Sequence, residues 1–275
     1  MKGLIVSEWN GAYTTLEVAN EIALIGLNRP EKRNAINDAV LDELTSLVPL
    51  VEKNAKAAVL FGHGPHFSAG LDLDEQSQRS PVETVMNSRR WHDALSRIEY
   101  GAVPWVAALH GAVIGGGLEL ASAVHVRVAD ETSFFALPEG QRGIFVGGGA
   151  SVRTSRLIGS ARVMDMMLTG RVVDAARAES WAMVQYVVRN SQAKSKAIEI
   201  AKASVENASL SNFAIIQALP RIGEMSKDDG LFVESVVVGL TGTSQEAETR
   251  LKNFLSKRAS PIERPEKKNE TIRGL

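Results

Sequence analysis

Two glutamates stand twenty residues apart, Glu119 within HGAVIGGGLELA and Glu139 within LPEGQRGIFVGGG, each beside a run of glycines. Two carboxyl groups whose surroundings push their pKa values apart can act as general base and general acid on one water molecule. Glu119 lies among Leu118, Leu120 and Ala121, and in so apolar a helix it is either solvent-facing by amphipathic accident or placed for chemistry. Glu139 follows a proline in a loop; alone it reads as a surface residue, but beside an apolar wall its pKa would rise and it could deliver a proton. The glycines tie the two together. GHGPHFSAGLDLD (62–74) and HGAVIGGGLELA (110–121) each follow a predicted strand, where glycine lets bare backbone N–H groups approach developing charge. Neither is a phosphate loop, because the Gly-Lys-Ser/Thr ending is absent and no G-x-G-x-x-G is completed. Taken singly, each is better explained by a tightly packed strand-to-helix turn. Three glycine segments with two glutamates form a constellation suited to moving protons next to a stabilised oxyanion.

Those residues need a rigid frame. The periodicity predicts strands at TTLEV and EIALIGL, an amphipathic helix over about 37–53, and a strand at AAVLFG. A helix over 82–98, a buried strand over 105–109, a short apolar helix over 117–123 and a strand over 125–129 follow. This alternation predicts an α/β architecture with a mainly parallel sheet. From about Ser191 the pattern turns helical: AKSKAIEIAKASVENA, SNFAIIQALPRIGEM, LFVESVVVGL and SQEAETRLKNFLSKR. The expected organisation is a core over 1–190, a C-terminal helical layer over 191–258 and a flexible, proline- and charge-rich tail over 259–275.

Composition removes several function classes. The 275 residues are 44% hydrophobic, enough for a large core, and carry 31 basic and 32 acidic side chains for a formal net charge of −1. That balance gives no general attraction to nucleic acid or an anionic membrane. There are no cysteines, so disulfides and thiolate chemistry are excluded. No run reaches the roughly 18 apolar residues of a membrane span, and no secretory core is visible, so a cytoplasmic protein is expected. Without export, the glycosylation-like triplets at Asn207 and Asn269 carry no meaning. His63 and His66 flank Gly64-Pro65, which is not the one-face spacing of a zinc pair, and no metal is expected. His110 and His125 read as core or turn residues, and Trp91, His92, Phe134, Phe135 and Phe145 as packing or pocket wall.

From about Glu21 to Arg258 the chain resembles the crotonase, or enoyl-CoA hydratase/isomerase, family. LNRPEKRNAIN (27–37) is similar to its first coenzyme A segment, FSAGLDL (67–73) to its first oxyanion loop, and HGAVIGGGLELA to its second. LPEGQRGIFVGGG matches the second catalytic segment and FLSKR (254–258) the closing helix. The resemblance implies a crotonase-like ββα spiral core with a C-terminal helical trimerisation layer, in a homotrimer or a dimer of trimers. It implies reversible addition of water to a 2-enoyl-CoA thioester, with coenzyme A as part of the substrate and no separate cofactor, nucleic acid or membrane partner. The amides of Leu71 and Gly116 would form the oxyanion hole, Glu119 and Glu139 the acid/base pair, and the Gly147 N–H would help hold the water. Coenzyme A would be bound around Lys32, Arg33, Asn34, Ala35 and Ala69, with Phe254 and Lys257 reaching a neighbouring subunit's coenzyme. Where many members carry a lysine after the first oxyanion donor, this chain has Asp74, so one phosphate contact is missing or replaced. Retention of both glutamates favours hydration over double-bond isomerisation, aryl-propenoyl-CoA hydration and cleavage, or non-catalytic binding of acyl-CoA or RNA.

Overall fold

A computed structural model describes residues 5–256. Its large sheet has the order β1-β2-β3-β4-β5-β7-β10. Strands β1 (Ile5–Asn10), β2 (Thr14–Ala19) and β3 (Ile22–Leu27) form an antiparallel meander. From β3 onward the pairing is parallel through β4 (Ala57–Gly62), β5 (Trp105–Leu109), β7 (Val126–Asp130) and β10 (Tyr186–Val188). Buried on both faces, β4 and β5 read in sequence as unbroken apolar runs, as central parallel strands do.

After each central strand the chain turns into a second, smaller layer. Strands β6 (Ala112–Ile114), β8 (Phe134–Ala136) and β9 (Val173–Asp174) make a three-stranded sheet. Parallel bridges Ser68–Val113 and Ile36–Leu71 extend that layer to the segments that follow β4 and β3. A long strand, a short strand and a helix therefore repeat, which is the ββα spiral the resemblance implied. Helix α1 (Asp38–Asn54) closes the first turn, and α2 (Leu73–Gln76) with α3 (Pro81–Glu99) the second. Helix α4 (Gly116–Ala123) closes the third, and the helices α5 (Arg153–Ile158), α6 (Ser160–Thr169) and α7 (Ala175–Ser180) complete the core.

The helices start where side chains satisfy their free N–H groups. Asn37 caps α1 by accepting from the Val40 amide at 3.0 Å, and α3 opens with a Ser80/Glu83 capping box and Pro81 in its first turn. Such a cap contributes about 1 kcal/mol. Helix α1 buries Val40, Leu41, Leu44, Leu47, Val48 and Val51, the three- and four-residue spacing of one helix face. On the sheet's other side, α8 (Ala193–Val205) lays Ala193, Ala197 and Ala201 against β-strand residues including Val59, Val106 and Val128. Three alanines one turn apart let that helix approach the sheet closely. Helices α9 (Ser209–Ile222), α10 (Lys227–Gly242) and α11 (Gln245–Leu255) follow it.

The strands expected at TTLEV, EIALIGL, AAVLFG and 105–109 are present. Strands β1, β6, β8, β9 and β10 were not among the expectations. β6, β8, β9 and β10 hold two or three residues each, too short for an alternating pattern to register.

Candidate active site

The site lies where the short strands of successive turns end. β6 runs into Gly115, whose φ of 50° bends the chain into α4 and whose bare α-carbon faces a carboxyl group. A β-carbon there would lie 2.6 Å from Glu139 Oε1. Gly116 opens α4, and its amide, at a helix N-terminus, has no intrahelical acceptor. The Leu71 amide stands close by: a β-carbon on Gly116 would lie 3.1 Å from the Leu71 nitrogen and 2.8 Å from Trp91 Cη2. Neither amide donates to a protein acceptor among the described residues. Two free N–H groups this close can share one oxyanion.

Hydrogen bonds fix the Leu71 segment against residues 33–36. The Ala69 amide donates to the Arg33 carbonyl at 2.9 Å, Ile36 to Gly70 at 2.7 Å and Asp72 to Ile36 at 2.9 Å, a short parallel ladder. Buried Asn34 locks it, with Nδ2 donating to the His63 and His66 carbonyls at 2.9 and 2.8 Å. Its Oδ1 accepts from the Arg29 amide at 2.8 Å. Buried Ser68 donates to the Asn34 carbonyl at 2.8 Å and accepts from the Gly70 amide at 3.1 Å. Arg29 donates to the Ala35 carbonyl at 2.7 Å and pairs with Asp72 at 3.1 Å. The segment expected to carry coenzyme A is thus also the one that orients the Leu71 amide. Arg29 lies in LNRPEKRNAIN and Ser68 in FSAGLDL, but their role is a backbone contact that residue type does not reveal.

Glu119, in the first turn of α4, is 4% exposed, so its side chain is buried and not solvent-facing. Its Oε1 accepts from the Gly148 amide at 2.7 Å and the Ala150 amide at 3.0 Å. Burial pushes its pKa up, while those amides and the charge of Arg153 pull the other way. Glu139 is 8% exposed, against the surface reading for a loop glutamate. Its Oε2 is buried with no hydrogen-bond partner among the described residues. Burial, reinforced by the negative charge of Glu119, raises its pKa to about 7. Two amides from another loop reach Glu119, whereas Oε2 of Glu139 has no partner among the described residues, which favours charge on Glu119 and the proton on Glu139.

This asymmetry has a measurable consequence for stability. The folded pKa of Glu139 lies above the unfolded value of about 4.3, so ionising it in the folded protein costs stability. The cost grows as pH rises from about 4.3 to about 7 and is constant above that. Glu139→Gln should therefore match the wild type near pH 4 and be more stable by up to about 4 kcal/mol at pH 8. Thermal melts of both proteins from pH 4 to 8.5 check this; a Tm difference independent of pH would contradict it.

A cavity of about 450 Å³ opens beside these groups, lined by Leu71, Trp91, Glu119, Phe145, Gly147 and Gly148 among others. Its size and mainly apolar wall suit a small acyl group. The Gly147 carbonyl accepts from the Ser88 hydroxyl at 2.6 Å, and the Gly147 amide has no protein acceptor among the described residues. Lys32 and Asp74 form an exposed pair at 3.4 Å, so Asp74 draws on one of the cations expected to meet phosphate. Arg33 is exposed with φ of 52°. Phe254 is 61% exposed on α11, apart from the contacts described above, and Lys257 lies outside the described residues. His63 and His66 are engaged elsewhere, His63 Nε2 with the Thr15 hydroxyl at 3.0 Å and His66 Nδ1 with the Ala112 amide at 3.1 Å.

Residues 17–265 match the family model described as Enoyl-CoA hydratase/isomerase. The chain is 34% identical over 239 residues to the Arabidopsis thaliana protein named "Probable enoyl-CoA hydratase 2, mitochondrial", covering 85% of this chain and 79% of that one. It is 29% identical to the 2,3-dehydroadipyl-CoA hydratase of Escherichia coli K12, over 86% of this chain and 93% of that one. The crystal structure of a "putative enoyl-CoA hydratase" from Rhodopseudomonas palustris CGA009 superposes with a TM-score of 0.88 at 46% identity, covering 92% of this chain and 98% of that one.

Proposed function

The chain belongs to the enoyl-CoA hydratase/isomerase family, and we propose that within it the protein adds water reversibly to a 2-enoyl-CoA thioester. The observation that carries this reading is the unequal pair of buried carboxyl groups, Glu119 holding two amide donors and Glu139 holding none on Oε2. A reaction that only shifts a double bond needs one proton carrier, whereas hydration needs a base for water and an acid for carbon.

The thioester oxygen is placed between the Leu71 and Gly116 amides, and water between Glu119 and the Gly147 amide. Glu119 removes a proton from water as its oxygen bonds to the β-carbon. The π electrons move onto the thioester oxygen, where the two amides stabilise the enolate. The enolate collapses as Glu139 gives its proton to the α-carbon. Water has then been added, one proton has passed from Glu139 to the product and one from water to Glu119, and proton exchange resets the pair. The nucleotide end of coenzyme A is placed along the 33–36 and 69–72 ladder near Lys32 and Arg33. Exposed apolar side chains on α9 and α10, such as Leu219 and Phe232, support assembly into a trimer.

The test is the absorbance of the enoyl-thioester band on mixing protein with crotonyl-CoA, then with longer and aromatic enoyl-CoAs. The band should be lost, and kcat should fall as pH rises above about 7, where Glu139 gives up the proton it must deliver. Coenzyme A binding without loss of the band from any thioester would overturn the reading.

A further inference from the structure

The glycine segment that holds Glu119 is itself held by a side chain the reaction does not use. Arg153, the first residue of α5, has a side chain only 9% exposed. Its Nη1 donates to the Gly148 carbonyl at 3.0 Å, its Nε to Glu99 Oε2 at 2.6 Å and its Nη2 to the Ser96 hydroxyl at 3.0 Å. Gly149 packs on the guanidinium so closely that a β-carbon there would run into Nη1. One arginine thus ties the last turn of α3 to the residues whose amides grip Glu119 Oε1. We propose that Arg153 is a positioning residue for Glu119, fixing the Gly148–Ala150 amides and supplying a compensating charge, and that Glu99 in turn fixes Arg153. The role assigned to Glu119 rests on the hydratase reading; the Glu99–Arg153–Gly148 chain of contacts does not.

The geometry explains why an arginine is needed. Its planar fork reaches three acceptors in different directions, whereas the lysine ammonium is a single point. The charged groups around Glu119 are Arg153 from α5 and Glu139 after β8, with Arg142 next to the latter. Behind Arg153 stand Glu99 and, on α3, His92 with Arg89 and Asp93 as its neighbours. Removing Arg153 takes a positive charge from Glu119. Removing the charge of Glu99 leaves that positive charge less compensated.

Arg153→Met, Arg153→Lys and Glu99→Gln test this. Arg153→Met should lower kcat about 10- to 100-fold through misplacement of Glu119, with KM changed less than about threefold, and should move the acidic limb of the kcat profile upward by about half a unit or more. Glu99→Gln should move that limb downward, and Arg153→Lys should leave it near the wild-type position while recovering part of kcat. A purely structural defect would not shift the limb in opposite directions. Carboxyl ¹³C titration of labelled protein, with the Glu119 signal assigned against Glu119→Gln, reads the same shifts without turnover. A wild type inactive on every enoyl-CoA would thus overturn the hydratase reading while leaving this proposal open to test. Shifts of the same sign in Arg153→Met and Glu99→Gln, or none in either, would overturn it. Should Arg153→Met fail to fold, Glu99→Gln and Arg153→Lys still decide.

Discussion

Glu139→Gln should lower the hydration rate of any accepted 2-enoyl-CoA by about 10²- to 10⁴-fold, the range for loss of a positioned general acid. The amide cannot donate a labile proton to the enolate carbon, yet it fills nearly the same volume behind Gly115, so coenzyme A binding should be retained. Glu119→Gln should lose hydration to a similar degree for a different reason. The Gly148 and Ala150 amides that now meet a carboxylate oxygen would meet a neutral carbonyl, and water would have no base. Because the two groups act in one addition, the double variant should be little worse than either single one. The comparison also separates hydration from isomerisation. Offered a 3-enoyl-CoA, an isomerase would keep its rate in Glu119→Gln and lose it in Glu139→Gln. Offered a 2-enoyl-CoA, a hydratase fails to bleach the thioester band in both variants. Steady-state absorbance with mass analysis of the products makes the measurement, and full hydration by Glu139→Gln would remove the acid from the mechanism.

The two glutamates stood out in sequence only as a constellation with three glycine segments, since Glu139 alone reads as a surface residue. What could not be read was their inequality. The two amides on Glu119 come from residues 148 and 150, nearly thirty positions away, and the bare Oε2 of Glu139 is a property of packing. The long elements were readable for the same reason that short ones were not. Helix α1 repeats its apolar face over 17 residues, whereas β6 and β8 have three residues each, and their place in a second layer depends on pairing between turns. Arg153, four residues past LPEGQRGIFVGGG, gives no signal in sequence, since its three acceptors are a backbone carbonyl, a serine and a glutamate on other segments. Asn34 shows the same limit. Its identity suggests a turn, and only the fold reveals that its amide joins two loops.

The proposed oxyanion hole gives the second large effect, and a sharper one because its donors would be backbone. Gly116→Ala adds one methyl group at a point 2.8 Å from Trp91 Cη2 and 3.1 Å from the Leu71 nitrogen. Trp91 is 4% exposed and packed in the core, so the ring has little room to yield. The methyl group must then stand between the two amides or tilt α4, and either displaces a donor from the developing enolate. Loss of one such donor costs about 10²- to 10³-fold in kcat. Leu71→Ala is the counterpart: its amide remains, its side chain is one wall of the acyl cavity, and KM should change more than kcat. The split between kcat and KM distinguishes the two variants. If Gly116→Ala kept full kcat, or if Leu71→Ala lost as much kcat as Gly116→Ala, these amides would not be the groups that hold the enolate. The mechanism would then have to find its electrostatic stabilisation in other donors.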